Sequence, residues 1–324
     1  MQPTDFLVCP VCHRDLDAGT EHFACSTCRR TYAVANGVPL FDLPEPGDAS
    51  KNTRREYWDS GWEARYAGDH AQLAKLETRE DWRAYVGASV AALPTHVQHV
   101  EAGEAVVRGR VVLDIGCGAG ISSATFGYFG ARYIGVDHSL NAAIFALRHL
   151  RCIEGQGFTV QANAESLPIR SGSIDIVYSN GVLHHTPNFV RTLDEVHRVL
   201  KPGGKAVIAL YATYSTLFGL LRLLGIAKGY VSRNAQDKWM SRQTEGAWRT
   251  GQRVNQWSET FSAGKLRGIV GKYKVRNLQF RKNGNPVGEL PGVGRALLRL
   301  PLARRLDSAL EPLFGSMIIM TFEK

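Results

Sequence analysis

The stretch Val111-Val-Leu-Asp-Ile-Gly-Cys-Gly-Ala-Gly120 decides how the rest of this chain is read. Val111 to Ile115 is a short apolar run suited to a parallel strand buried on both faces. Gly116, Gly118 and Gly120 then carry the chain into a helix-compatible segment that begins at Ile121, so the order is strand, loop, helix. Glycines at alternate positions let the backbone approach a ligand closely, and a helix start offers amide hydrogens to the ligand's polar atoms. A dinucleotide fingerprint would place glycine at 121, where this chain has Ile121.

The acid within this stretch narrows the ligand further. Asp114, at the mouth of the strand, would repel a pyrophosphate but suits a molecule that carries an ammonium and a sulfonium. S-adenosylmethionine has both charges. Tyr133-Ile-Gly-Val-Asp137 reads as the second strand, and Asp137 ends it near the spacing at which such folds grip ribose hydroxyls. Either acid alone is readily a helix cap or a solvated loop residue; their joint placement at successive strand ends argues for the ligand.

Phe158 to Ala162 gives a third strand, followed by the loop Asn163-Ala-Glu-Ser-Leu-Pro168, and Ile174 to Tyr178 gives a fourth. Its exit, Ser179-Asn-Gly-Val-Leu-His-His185, precedes a helix over Val190 to Leu200, which Lys201-Pro-Gly-Gly204 ends. Lys205 to Tyr211 is the fifth strand, and Val275 to Phe280 and Met317 to Phe322 have the pattern of closing antiparallel strands. The alternation predicts an α/β fold with a doubly wound, Rossmann-like sheet and its ligand crevice at the carboxyl ends of the strands.

Val112 to Gly120, Gly135 to Ser139, Asn163 to Pro168, Asn180 to His185 and Leu200 to Gly204 together resemble the ordered motifs of class I methyltransferases, over about residues 105 to 215. The resemblance implies that Asp114, Gly116, Gly118 and Gly120 hold the methionine and ribose portions of S-adenosyl-L-methionine, and that Asp137 holds the ribose hydroxyls. Ala164 and Glu165 fall beside the adenine, and Asn180 lies on the exit of the fourth strand. Asn163 stands where relatives often carry Asp; its amide oxygen can still accept a hydrogen bond from the adenine amino group. Glu56-Tyr-Trp-Asp59 with Trp62 resembles the N-terminal helices that close over the cofactor in this family, which makes Tyr57 and Trp58 lid contacts, against aromatic packing on the core.

The first residues carry a separate module. Cys9-Pro-Val-Cys12 and Cys25-Ser-Thr-Cys28 are two knuckles that can place four thiolates around one tetrahedral zinc, and metal binding supplies folding free energy that so short a segment cannot draw from a core. His13 adjoins a knuckle, but four cysteines already complete a closed structural site. From Leu7 to about Leu43 the module resembles zinc ribbons fused to methyltransferases or acting as their activators. The domain boundaries expected are 1–46 for the zinc ribbon, 47–104 for a linker and closing helices, and 105–324 for the methyltransferase domain, with a substrate-cap insertion at about 212–273. Pro44-Glu-Pro-Gly-Asp48 reads as the linker.

The chain's 324 residues, 44% hydrophobic and 21% charged, fit a folded globular protein rather than a disordered or fibrous one. No secretory start and no bilayer-length apolar run is evident, so the expected address is cytoplasmic. The +9 formal charge is compatible with RNA, an anionic membrane or a basic solvated surface.

For the chemistry, in-line attack of a substrate oxygen, nitrogen or carbon on a sulfonium methyl needs mainly positioning and desolvation. If the nucleophile is a hydroxyl, His184 and His185 are the candidate bases; the competing account makes them structural, with no protein base required. Leu217 to Ile226 and Arg295 to Arg305 read as core-facing helices, the second interrupted by Pro301, with an acceptor pocket or peripheral membrane contact as other uses. Trp239, Trp248 and Trp257 are candidates for a substrate cap. The preferred acceptor is a small-molecule or lipid-like metabolite. The alternatives are an RNA-modifying enzyme that uses the ribbon and basic surface on nucleic acid, and a noncatalytic cofactor-binding partner protein.

Overall fold

The computed structural model describes residues 1–41, 55–62, 75–92, 103–232, 235, 239, 258–290 and 293–324. The expected linker at 44–48, Trp248 and Trp257 lie outside them. Contacts divide the chain into two compact units: one of residues 1–179, 188–207 and 323–324, the other of 180–187 and 208–322.

The first unit begins with a four-stranded sheet of β1 (Asp17–Ala18), β2 (His22–Cys25), β3 (Arg30–Ala35) and β4 (Val38–Pro39), in that order. Asn36 and Gly37 join β3 to β4 with φ of 53° and 79°, the left-handed pair that a two-residue hairpin turn demands. His13 and Arg29, each one residue past a knuckle, are also left-handed, at φ 57° and 53°.

The first helix, α1, occupies residues 55–62, and α2 spans Arg79–Ala92. After the short α3 (Glu104–Val107) comes β5 (Val111–Ile115), buried at every position, as its unbroken apolar run requires. It pairs in parallel with β6 (Arg132–Asp137) on one side and with β8 (Ile174–Asn180) on the other; β6 pairs in parallel with β7 (Gln156–Gln161). Helices α4 (Ile121–Tyr128), α5 (Leu140–Cys152) and α6 (Phe189–Val199) follow β5, β6 and β8. Ser139 and Asn188 cap α5 and α6 by accepting from the amides of Ala142 and Arg191. With β9 (Leu200–Tyr211), β10 (Arg276–Asn283) and β11 (Met317–Glu323) the sheet has seven strands, ordered β10-β11-β9-β8-β5-β6-β7.

One boundary needs correction. Lys201 to Gly204 follows the helix end as read, but the fifth strand, β9, starts at Leu200 and not at Lys205, because Gly203 donates to the Lys324 carbonyl and the Lys324 amide donates to Gly204. At the strand's other end Ala212 donates to Ser316, and the falling partner numbers make β11 antiparallel to β9. Pro301 interrupts the helical pattern of Arg295 to Arg305 as read: one helix ends at Leu297, and Pro301 opens the next, α10 (Pro301–Phe314), at its first position, where a missing amide hydrogen costs nothing.

The second unit also holds α7 (Thr216–Ala227), α8 (Ala263–Val270) and α9 (Gly294–Leu297). Their apolar residues are only partly used as core. Phe218 of α7 is buried with Trp239, whose indole stacks on Tyr230 at 5.2 Å and donates to the Leu221 carbonyl. Leu223, Leu224 and Ile226 of α7, and Leu302, Leu306, Leu313 and Phe314 of α10, are exposed among the described residues. The expectation of core-facing helices holds for one face of α7 and fails for α10, whose single buried residue is Asp307.

Candidate cofactor cradle and cysteine centre

The loop between β5 and α4 uses its glycines as the spacing implies. Gly116, Gly118 and Gly120 have φ of 84°, 52° and 85°, all in the region that side chains disfavour. At Gly120 a Cβ would also lie 2.7 Å from the backbone of Ala146 in α5. Two loop amides, Gly116 and Cys117, donate to the carbonyl of Val136, which ties the loop to the end of β6.

Asp114 is buried to 1% exposure and accepts a 2.8 Å hydrogen bond from the Tyr133 hydroxyl; the Ser122 hydroxyl also reaches it. Burial raises its carboxyl to about 7, against the lowering effect of those hydroxyls, and the charge of Asp137 adds to the rise. Asp137, also buried, accepts from the amides of Gly118 and Ser139, each at 2.9 Å. Burial raises it as well, and those two amides oppose the rise. The loop amide at Gly118 thus fixes the second acid instead of pointing outward. Two carboxylates lie under one glycine loop, and neither forms an ion pair among the described residues.

Helix α1 sits on this arrangement. The carboxylate of Asp59 accepts from the Ser139 hydroxyl at 2.7 Å, and its carbonyl accepts from the Asn141 amide group at 3.5 Å. A Cβ on Gly118 would meet the Trp62 ring at 2.8 Å, so Trp62 covers the loop. Tyr57 is buried and packs edge-on against Trp58, with centroids 5.1 Å apart. In the sequence Asp59 and Trp62 stand out only as members of an aromatic segment. In the fold they make the direct connections.

Below the loop, His149 of α5 is fully buried and donates from Nδ1 to the Ala119 carbonyl at 2.9 Å. Trp82 of α2 packs on its ring at 4.5 Å. Burial pushes His149 down to about 4, so it is a neutral strut at physiological pH. No local motif marks either residue, because the contact joins elements far apart in the chain.

The loop after β7 is held from two sides. Asn163 turns its side-chain oxygen onto the amide of Glu165, at 3.0 Å. Glu165 accepts from the Asn188 amide at 2.9 Å, and its carbonyl accepts from Arg191; Ala164 lies between Asn163 and Glu165. Leu167 donates to Glu195, and Arg198 donates to the carbonyls of Leu167 and Ile169.

In the second unit, Asn180 is exposed at the end of β8. His184 is fully buried, and its ring stacks on Tyr211 at 3.6 Å and 27°. Its Nδ1 accepts from the Tyr211 amide at 3.3 Å, and its carbonyl accepts from Glu259. His185 is nearly buried and meets Tyr211 edge-on at 5.5 Å.

The four cysteines of the ribbon converge. Ligating atoms of Cys9, Cys12, Cys25 and Cys28 lie within 4.8 Å of one another. Cys28 donates its amide to the Cys25 sulfur, and the Tyr32 hydroxyl lies 3.3 Å from the Cys9 sulfur. The Cys28 thiol is pushed up to about 12, first by its hydrogen bond to Cys12 and then by burial, so a fully ionised set needs a cation among its sulfurs. The donor set fits tetrahedral zinc.

Residues 113–208 match the model of the methyltransferase domain family. An uncharacterized methyltransferase of Mycobacteroides abscessus is 37% identical over 114 residues, 35% of this chain and 44% of that protein. One of Mycobacterium avium is 31% identical over 153 residues, 45% of this chain and 56% of that protein. The chain thus spans about half the length of the curated relatives it matches, or less. A putative methyltransferase of Bacillus halodurans aligns with a TM-score of 0.45 and 15% identity, over 71% of this chain and 99% of that one. Residues 113–208 are therefore similar in sequence to methyltransferase domains. No helix among the described residues is long and apolar enough to cross a membrane.

Proposed function

We propose that the chain transfers a methyl group from S-adenosyl-L-methionine to a small or lipid-like metabolite, with a structural zinc in its N-terminal ribbon. The observation that carries this reading is the pair of buried acids, Asp114 and Asp137, under a left-handed glycine loop. Such a site disfavours a phosphate and demands positive charge. When bound, S-adenosylmethionine supplies a sulfonium methyl for in-line displacement by an acceptor oxygen, nitrogen or carbon.

Asp114 balances the ammonium and sulfonium charge, and Asp137 takes the ribose hydroxyls with its remaining lone pairs. Asn163, Ala164 and Glu165 flank the adenine. Helix α1, with Trp62 on Gly118 and Asp59 on Ser139, excludes water above the loop, and Tyr57 and Trp58 stiffen it. Asn180 contributes on the exit of β8. We assign the organisation 1–46, 47–104 and 105–324, with the acceptor cap in the insertion at about 212–273.

Calorimetry tests the donor. S-adenosylmethionine and S-adenosylhomocysteine should each bind one per chain, while NADH should not bind. Tight binding of NADH with no heat from either adenosyl ligand would end the proposal. Incubation with cell extract should then yield a metabolite heavier by one methylene, which names the acceptor.

A further inference from the structure

The loop that follows β7 turns at Asn163, where the Ser166 amide donates to the Asn163 carbonyl, and successive residues from Glu165 on bond to opposite supports. Glu165 and Leu167 bond to the α6 side, through Asn188, Arg191 and Glu195. Ser166 and Pro168 bond to the ribbon. The Ser166 hydroxyl donates to the Pro10 carbonyl at 2.7 Å, and the Val8 amide donates to the Pro168 carbonyl at 3.0 Å. The same side continues in both directions along the chain: Phe41 donates to Gln161 at the end of β7, Leu7 bridges Ile169, and Arg170 donates to Phe6.

Pro10 is the second residue of the first knuckle, between Cys9 and Cys12. The direction of its carbonyl is set by the turn that brings those two sulfurs together, so whatever closes the four-cysteine centre also aims the acceptor that Ser166 uses. The backbone of the knuckle carries two links, from the His13 amide to the Cys9 carbonyl and from the Cys9 amide to the Arg14 carbonyl, and a metal shared by the four sulfurs would fix its turn further.

We propose that the ribbon is a positioning element for base recognition: through Pro10 and Ser166, metal in the four-cysteine centre holds the loop 163–166 in the conformation that accepts adenine. Ser166 is a positioning residue, acting through its neighbours Ala164 and Glu165. This inference rests on the reading of the site as an S-adenosylmethionine cradle. It gives the ribbon a role inside its own chain, independent of any partner.

The test compares the zinc-loaded full chain, the same chain after chelation, and the variants Ser166→Ala and Ser166→Thr. Zinc content, circular dichroism and calorimetry are measured with S-adenosylhomocysteine and with S-inosylhomocysteine, which lacks the adenine amino group. The loaded chain should prefer the adenine ligand. Ser166→Ala, with zinc retained, should lose about five- to tenfold in affinity for it, the effect of one neutral hydrogen bond. It should also lose most of its preference over the inosine analogue, which a loss of overall stability would not selectively remove. Ser166→Thr, which keeps the hydroxyl, should restore both. Chelation should act in the same direction at least as strongly.

If the loaded wild type binds S-adenosylhomocysteine and Ser166→Ala binds both ligands as the wild type does, the inference is overturned while the cofactor reading stands. The same result overturns it even if the chelated chain unfolds. If the loaded wild type binds neither ligand, the cofactor reading fails and takes the inference with it.

Discussion

Asp114 and Asp137 are buried carboxylates held by hydroxyls and amides alone, whereas His184 and His185 are buried imidazoles packed on Tyr211. The first pair buries two acidic groups close together, with no ion-pair partner among the described residues. Burial lifts Asp114 to about 7 for that reason. The second pair is packed: His184 has a stacked ring on one side and a backbone amide on Nδ1. Both pairs attract attention as titratable groups at strand exits. The difference is that one pair buries acidic groups that a cation would complete, while the other packs imidazoles against an aromatic ring, and this contrast in surroundings separates the two more sharply than residue type does.

Breaking the first half of the comparison should produce the largest effect. Asp114→Asn keeps an acceptor for Tyr133 but removes the charge, and should weaken S-adenosylhomocysteine binding about 100-fold, the scale of losing one partner of a buried charged pair. The wild type should also show a pH dependence with a definite sign. The ligand's ammonium favours the ionised carboxyl, so below about 7 binding must first expel a proton from Asp114. Affinity should therefore rise roughly tenfold per pH unit on the acid side and level off above that value. Methylthioadenosine, which has no ammonium, should show a flat profile, as should the Asn variant with either ligand. A flat wild-type profile for S-adenosylhomocysteine would remove Asp114 from the ammonium's surroundings.

The second half is tested by His184→Gln. We expect turnover at saturating cofactor to stay within about twofold of wild type, because Gln retains an acceptor near the Tyr211 amide and a buried, stacked ring is a poor base for an incoming substrate. Unfolding free energy should fall by about 1–3 kcal/mol, the usual cost of disturbing a buried polar contact. A loss of turnover greater than a hundredfold with unchanged stability would make the imidazole a base and reverse the comparison.

How much of this was legible in the sequence follows the same division between local and distant causes. The strand, glycine loop and helix from Val111 onward were readable because each cue lies within a few residues of the next. The four-cysteine centre was readable because its spacing alone dictates chemistry. Ser139, which caps α5 and ties Asp59 to the acid of β6, carried a local cap signal, but nothing local placed Asp59 opposite it. His149 and Trp82 meet under the loop only because α2 and α5 pack there. Lys201 to Gly204 has every mark of a helix stop, and it does follow one; the C-terminal backbone at Lys324 then recruits it into a strand. Pairing between distant segments leaves no periodic trace in either.

The smallest effect is expected where apolar sequence did not become core. Leu302 lies in the segment Arg295 to Arg305 read as core-facing, and Leu306 and Leu313 continue its helical spacing on α10, yet Leu302 is 78% exposed, while Asp307 is buried and accepts from the Val287 amide at 2.7 Å. The helix is anchored by a carboxylate and turns its leucines outward among the described residues. Leu302→Ser and Leu306→Ser should each change the urea midpoint by an amount worth less than about 0.5 kcal/mol, as surface substitutions do. A leucine in a closed core would cost about 2–5 kcal/mol on truncation. A loss in that range would show that other parts of the chain, or a second molecule, cover the stripe in solution. Asp307→Ala in the same background should be the costlier change, because it strips a buried amide of its acceptor.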